Sequence, residues 1–314
     1  MPAPAAGDLG ALTVKKPASW QADLALAGVA LIWGSTFVVV KEALRDVSPL
    51  LFLALRFTLA AVALALVARP LAGKFGESKK LLAGGIVAGL CLFGGYWLQT
   101  AGLRYTTPSK SAFLTGLSVV MVPLLGGLIH RRPPAAAELA GVLLATIGMG
   151  LLTLEDGLDR LNPGDVLTLG CAAGFAFHIL ALGHWAPRVN YQALTLIQIA
   201  TTALCAAALC HGEPAYLRWS PRVALALVVT GLLATALAFS VQAWAQQRTT
   251  PGHTALIFAL EPVFAWLTSF LVTGERLAFR QAIGALVILG GILQVELKPL
   301  GSPRGRCTGA NPGI

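Results

Sequence analysis

Charge is scarce in this chain. Asp, Glu, Lys and Arg make up 12% of its 314 residues, about half the share in soluble globular domains, which excludes an ordinary water-facing surface. Signatures of the commoner enzymes are missing too: there is no H-E-x-x-H, no G-x-x-x-x-G-K-[ST] and no G-x-S-x-G. A zinc protease, an ATP-driven pump and a serine hydrolase thereby lose their usual grounds. His178 and His184 are six residues apart, a spacing that does not share a helix face. The five cysteines (91, 171, 205, 210 and 307) form no C-x-x-C and read as small apolar fillers, not as a disulfide or zinc framework. No metal, cofactor or catalytic residue is expected. The first 20 residues lack an apolar h-region ahead of a cleavage site, so the first apolar span is expected to serve as its own insertion signal.

What the chain has instead is apolar length. It is 56% hydrophobic, with a mean hydropathy of +0.74. Its charges cluster between apolar runs of about 20 residues, the length that crosses a ~30 Å hydrocarbon core. Ten spans follow, at roughly residues 22–40, 49–68, 81–103, 108–129, 135–154, 164–183, 191–209, 223–244, 251–272 and 278–297. Barrel strands would alternate in polarity over about 10 residues, and these runs do not. The expected fold is an all-α membrane protein with ten transmembrane helices.

A net charge of +9 would suggest nucleic acid in a soluble protein, but membrane topology explains it better. With the N-terminus inside, 13 Lys and Arg fall on the cytoplasmic side and nine outside, while Arg56 lies within a span. That bias predicts both termini in the cytoplasm, insertion in the cell (inner) membrane, and no nucleic-acid partner. Residues 1–21 form an expected cytoplasmic tail, and the Gly/Pro-rich residues 298–314 an expected disordered one.

The chain also repeats itself. "RYTTPSKSAFLTGL" begins at Arg104 and "RTTPGHTALIFAL" at Arg248, and a shift of 143 pairs Gln99 with Gln242, Pro108 with Pro251, Leu117 with Leu260, Gly141 with Gly284 and Gly148 with Gly291. Upstream, a shift of 142 pairs Asp23 with Asp165, Gly28 with Gly170 and Ala61 with Ala203. Residues 22–156 and 163–297 are therefore read as two copies of five spans. Five is odd, so the second copy enters from the opposite face and the repeat is inverted, a common plan for secondary transporters. Thr-Thr-Pro itself is a helix start: Thr107 and Thr250 suit the N-cap, with Pro108 and Pro251 at N1.

Several stretches carry a family resemblance. "ALIWGSTFVVVK" (from Ala30), "LRF" (from Leu55), "TGLSVVMVPLL" (from Thr115), "ALEPVFAWLTSFLVTGERL" (from Ala259) and "GALVILGGIL" (from Gly284) resemble the EamA family of the drug/metabolite transporter superfamily. The resemblance runs from about Asp23 to Leu297. It implies a ten-helix carrier of small metabolites, with spans one to four and six to nine around a central cavity and spans five and ten at the periphery. The second half departs from the first at Phe175-Ala176-Phe177, which stands where Trp33-Gly34-Ser35 does, and at Gln198, which replaces Arg56.

Ionisable groups within hydrocarbon are costly and ask for a partner or a wet cavity. Glu261 lies about 15 Å into span nine at helical rise, and Pro262 after it withdraws the N–H that would bond the Phe258 carbonyl. An acid beside a proline kink at mid-depth reads either as a substrate or proton site or as a structural tie. Arg56, about 10 Å into span two, reads as a partner for a substrate carboxylate, a partner for Glu261, a helix–helix tie, or a side chain snorkelling outward. Trp33, Ser35 and Thr36 form a candidate polar patch. Gln99 and Gln242 are a candidate pair of gates, and His178, aligned with Thr36, is a weaker candidate. Trp97 and Trp244 suit an interfacial belt, while Lys110 and His253, on the first turns of spans four and nine, suit a solvated or lipid-headgroup role at the membrane edge. Pro108, Pro251 and Pro262 are the expected helix-start and kink positions. The glycine pairs 141/148 and 284/291, and Gly85 with Gly89, mark close helix packing or a homodimer contact through spans five and ten.

These readings converge on a secondary carrier alternating access to one central site for a small metabolite, an amino acid or related compound, with export implied by the resemblance. The alternatives are a channel or a membrane-embedded sensor. An intramembrane enzyme is disfavoured because the buried polar groups form no nucleophile–base set.

Overall fold

Inside hydrocarbon the backbone must satisfy its own polar groups, which favours a helix for every apolar run. The computed structural model describes residues 19–68, 79–106, 108–131, 133–134, 136–153, 162–273 and 279–296. All its regular elements are helices. Helices α1 (Ser19–Ala43), α2 (Pro49–Ala68) and α3 (Lys79–Leu103) are followed by α4 (Pro108–Gly116), α5 (Ser118–His130) and α6 (Ala136–Thr153). Then come α7 (Pro163–Trp185), α8 (Tyr191–Leu209), α9 (Pro221–Val228), a π-helical segment (Val229–Leu237), α10 (Ala238–Ala245), α11 (Pro251–Phe258), α12 (Glu261–Thr273) and α13 (Phe279–Glu296).

Seven helical stretches among the described residues are long and apolar enough to cross a membrane. Two shorter apolar helical stretches, Leu139–Leu151 in α6 and Phe279–Gln294 in α13, stand beside them, and the ninth expected span is divided into α11 and α12. The protein is thus an all-helical, multi-pass membrane protein.

Helix starts follow side-chain capping. Asn162 forms a reciprocal capping box with Asp165 at α7, Asn190 caps α8 and Ser220 caps α9. Thr250 accepts from the His253 N–H with Pro251 at N1 of α11, as expected. Thr107, its counterpart, lies outside the described residues, as do the tails 1–18 and 297–314 and Glu275.

Two breaks shape the centre. Span nine stops at Phe258 and restarts at Glu261, with Ala259 and Leu260 tightened onto carbonyls three residues back at 3.1 and 3.0 Å. Span four does the same at Leu117, whose N–H reaches the Leu114 carbonyl at 3.3 Å. Pro262 accounts for the first break, yet Val119 stands at the equivalent position of the second. Proline is therefore not what the break requires.

Close packing uses the small residues. A Cβ on Gly148 would lie 2.6 Å from the Gly284 carbonyl oxygen, and one on Gly291 would lie 2.8 Å from the Gly141 carbonyl oxygen. These two contacts exchange under the 143-residue shift. They press α6 against α13 within one chain, so a homodimer through these helices would have to use their other faces. Gly85 and Gly89 bring α3 against Ile197 and Thr201 of α8. Elsewhere α3 packs on α7, α2 on α8, and α1 on α10 and α12. The turn after α1 is stitched to the loop before α9 by Ser48 N–H to the Tyr216 carbonyl (3.0 Å), Arg218 N–H to the Asp46 carbonyl (2.7 Å) and Ser220 to Asp46 (2.8 Å).

Candidate functional site

Among the described residues the central helices line a cavity with some 810 Å³ of atom-free space, part of it open to solvent. Its walls come from α1, α2, α3, α4, α5, α7, α10, α11 and α12. Among the described residues α6 and α13 contribute nothing to the lining, and neither does α8, although the resemblance placed span seven around the cavity. All seven candidate binding residues, Trp33, Thr36, Arg56, Gln99, His178, Gln242 and Glu261, line this cavity. Ser35 does not: its hydroxyl turns back to the Ile32 carbonyl at 2.8 Å.

Arg56 is placed differently from two of its expectations. It is 3% exposed, so it does not snorkel, and it makes no ion pair with Glu261. Its Nε donates to Thr235 Oγ1 at 2.8 Å, and its Nη2 to the Tyr96 hydroxyl at 3.2 Å and the Ala234 carbonyl at 3.5 Å. The guanidinium also lies 4.6 Å from the Tyr96 ring centroid, within cation–π range. Arg56 therefore ties α2 to α3 and to the π segment. Glu261, in the first turn of α12, has no hydrogen-bond or ion-pair partner among the described residues and faces the cavity.

The π segment matters here. Wider i→i+5 turns are rare and recur at functional sites. This one offers the Ala234 carbonyl to the Trp33 indole N–H at 2.8 Å as well as to Arg56. Trp33 also packs on Phe239 and Phe258, with centroids 5.2 and 5.0 Å apart. Gly34, next in sequence, lets α1 cross the break between α11 and α12, because a Cβ there would collide with the Glu261 carbonyl oxygen.

Amides and imidazole form the remaining polar contacts. Gln99 Nε2 donates to Thr115 Oγ1 at 3.1 Å, and Gln242 Nε2 to Gln246 Oε1 at 3.0 Å. Gln246 Nε2 in turn donates to the Ile179 carbonyl at 2.9 Å. His178 Nε2 meets Gln198 Oε1 at 2.8 Å. Of the residues assigned to the membrane edge, Trp97 is 40% exposed, and His253, partly exposed, is tied to Asp23 at 3.0 Å. The Lys110 side chain lies outside the described residues.

Sequence reasoning missed the aromatic ring at the cavity centre. Trp33 pairs with Phe239 at 5.2 Å, Phe175 with Tyr96 at 5.1 Å, and Tyr96 with Phe239 at 6.1 Å. The repeat held the signal: Phe175 is the counterpart of Trp33 and Phe239 that of Tyr96, so the first two contacts exchange under the shift. Other lining residues pair likewise, Thr36 with His178, Phe37 with Ile179, Gln99 with Gln242, Thr115 with Phe258 and Ser118 with Glu261. The rest, Val40, Arg56, Thr100, Leu103, Gly116 and Val119, all belong to the first half. Of their counterparts, Leu182, Gln198, Ala243, Gln246 and Ala259 are each exposed by 1% or less. The cavity thus runs toward the C-terminal ends of α1 and α3 and is packed shut toward those of α7 and α10.

Comparison with known proteins agrees with this architecture. A family model described as the EamA-like transporter family matches twice, over residues 20–154 and 162–296. A protein of Archaeoglobus fulgidus named an uncharacterized transporter is 35% identical over 277 residues, 88% of this chain and 86% of its own. A probable amino-acid metabolite efflux pump of Salmonella typhimurium is 26% identical over 280 residues, 84% of this chain and 91% of its own. A solved crystal structure superposes with a TM-score of 0.73 at 21% identity, covering 88% of this chain and 97% of the other, and so shares the fold. Family and relatives point to a transporter and not to an enzyme. With two matches that together span most of its length, the chain belongs to the EamA-like transporter family.

Proposed function

We propose that this chain is a secondary carrier that exports a small metabolite, an amino acid or related compound, across the inner membrane by alternating access. Residues 22–156 and 163–297 act as inverted five-helix halves, and both termini lie in the cytoplasm. The lopsided cavity carries this reading. Repeat-related residues line its centre, but it extends along only one set of repeat-related helix ends. The other end is shut by the Gln242–Gln246–Ile179 chain of hydrogen bonds and by Gln247, which donates to the Ala186 carbonyl at 2.9 Å. In the proposed orientation the open end faces outward. Exchanging the conformations of the two halves closes that end around Gln99 and Leu103 and opens the other, which is how inverted repeats alternate access. The compound class and the export direction follow the relatives' names, since two of them are called amino-acid metabolite efflux pumps.

Counterflow in proteoliposomes tests the carrier. Preloaded unlabelled substrate should accelerate entry of external label, which emerges chemically unchanged. Label that equilibrates without trans-stimulation would indicate a channel, and modified label an enzyme. The substrate for this assay comes from comparing the medium of cells with and without the overproduced protein. Inversion has its own test: reporters fused near Arg131 and Glu275 should lie on opposite sides of the membrane, and both on one side would refute it.

A further inference from the structure

The two ends of the cavity are built by equivalent helices but not by equivalent side chains. At the shut end three hydrogen bonds tie α10 and the residues after it to α7 and the residues after it. Gln242 Nε2 donates to Gln246 Oε1, Gln246 Nε2 to the Ile179 carbonyl and Gln247 Nε2 to the Ala186 carbonyl, at 3.0, 2.9 and 2.9 Å. Gly183 adds a close approach. A Cβ there would collide with the Pro251 ring, so α7 meets α11 as it does only because that side chain is missing.

At the open end the same places hold Gln99 for Gln242, Leu103 for Gln246, Arg104 for Gln247 and Lys41 for Gly183. Leucine has no polar side-chain atom, so the bond from Gln99 and the bond to the Phe37 carbonyl have no possible image there. Arg104 is exposed and could reach the Leu44 carbonyl, but the Tyr216 hydroxyl already donates to that oxygen at 2.9 Å. Lys41 brings a long side chain to the place that Gly183 leaves empty. Gln99 bonds Thr115 Oγ1 at 3.1 Å instead, and the counterpart of that threonine is the apolar Phe258. Each end therefore rests on side chains that the other end lacks. Both differences favour the state seen here over its mirror state.

We propose that Gln246 and Gly183 are positioning residues that set the resting state of the empty carrier, holding the Ala243 end shut and the Thr100 end open. This rests on the alternating-access reading of the same cavity and adds which of its two states is preferred. Two net hydrogen bonds shift a two-state equilibrium by roughly thirty-fold. Cargo arriving at the shut end meets only the minor state, and its apparent affinity is lowered by that state's population.

Maleimide labelling of single cysteines in the purified full-length protein provides the test, in a background whose five native cysteines are replaced by alanine. Thr100→Cys reports the open end, and its counterpart Ala243→Cys, at a fully buried position, reports the shut one. With no substrate added, Thr100→Cys should react roughly ten-fold faster or more. Gln246→Leu gives the shut end the residue of the open one. It should narrow that ratio by about five-fold or more, speeding Ala243→Cys and slowing Thr100→Cys. Leu103→Gln, the reverse exchange, should also narrow it, by letting the open end form the bond it lacks when it closes. Gly183→Ala should act in the same direction by obstructing the Pro251 contact. If Gln246→Leu speeds both cysteines alike, the residue is merely structural and the proposal fails. A wild-type ratio near one also overturns it, as does a measurable Ala243→Cys rate that none of the three variants moves; both leave alternating access standing. An Ala243→Cys that stays inert in every variant overturns alternating access as well. Should Gln246→Leu not fold, Leu103→Gln and Gly183→Ala decide by the same ratio.

Discussion

Gly34→Ala adds one methyl group where α1 crosses the broken helix. That carbon would overlap the Glu261 carbonyl oxygen and lie 2.9 Å from the Ala265 nitrogen and 3.3 Å from Phe264 Cβ. Ordinary contacts begin near 3.4 Å, and two of these three atoms are backbone, so no rotamer change relieves the overlap. The helices must part by roughly 1 Å, with an overpacking cost of about 1–3 kcal/mol. The displacement falls on Trp33 and Glu261 together, one on each side of the contact. A misplacement of about 1 Å in a site costs on the order of a hundred-fold in turnover. Gly28→Ala is the matched control in the same helix, with nothing within 4 Å of the added carbon. It should be neutral or stabilising by up to about 1 kcal/mol, since alanine is the better helix former. The measurements are the counterflow rate and the thermal midpoint of the purified protein in detergent. Gly34→Ala should lower the midpoint by about 2 °C or more and nearly abolish exchange, while Gly28→Ala does neither. Wild-type exchange in Gly34→Ala, or equal damage in Gly28→Ala, refutes the close-approach account.

Trp33→Phe keeps the ring but removes the N–H to the Ala234 carbonyl, costing about 0.5–1.5 kcal/mol, and its thermal midpoint should fall less than that of Gly34→Ala. Lys41→Met removes the ammonium that bonds the carbonyls of Leu103, Arg104 and Thr106 at and just past the end of α3. Cysteine-accessibility labelling at Thr100 should rise as that end loosens. Gly148→Leu should prevent α6 from seating on α13 and cut the yield of folded protein, with the selectivity of whatever survives unchanged.

Apolar length and charge spacing made the helices and most of their ends legible in sequence, because the bilayer imposes both. The cavity-lining residues were legible for a related reason: a polar side chain in an apolar run has few other places to go, and Glu261, Gln99 and Gln242 went to the cavity. What the residues could not reveal was partner choice. Arg56 could have met a substrate carboxylate, paired with Glu261 or tied two helices together, and only the structure shows that Thr235 and Tyr96 took its donors. Thr235 is supplied by a π segment whose sequence, "VTGLLATAL", carries no mark of its wider turn. The break at Leu117 was equally silent, since without a proline only packing imposes it. Tyr96 and Phe239 were hidden because aromatic residues suit lipid, interface and core alike, and only their matched places in the two halves single them out.

The clasp between α6 and α13 has a mechanical consequence. Its two glycine contacts are images of each other, so in the proposed alternating-access cycle an exchange of the halves' shapes would turn each into the other and leave the joint as it was. In that cycle such a joint would have no preference for either side of the membrane and would serve as an unbiased fulcrum. Lesions there should reduce how many carriers are made, not which way a working carrier faces.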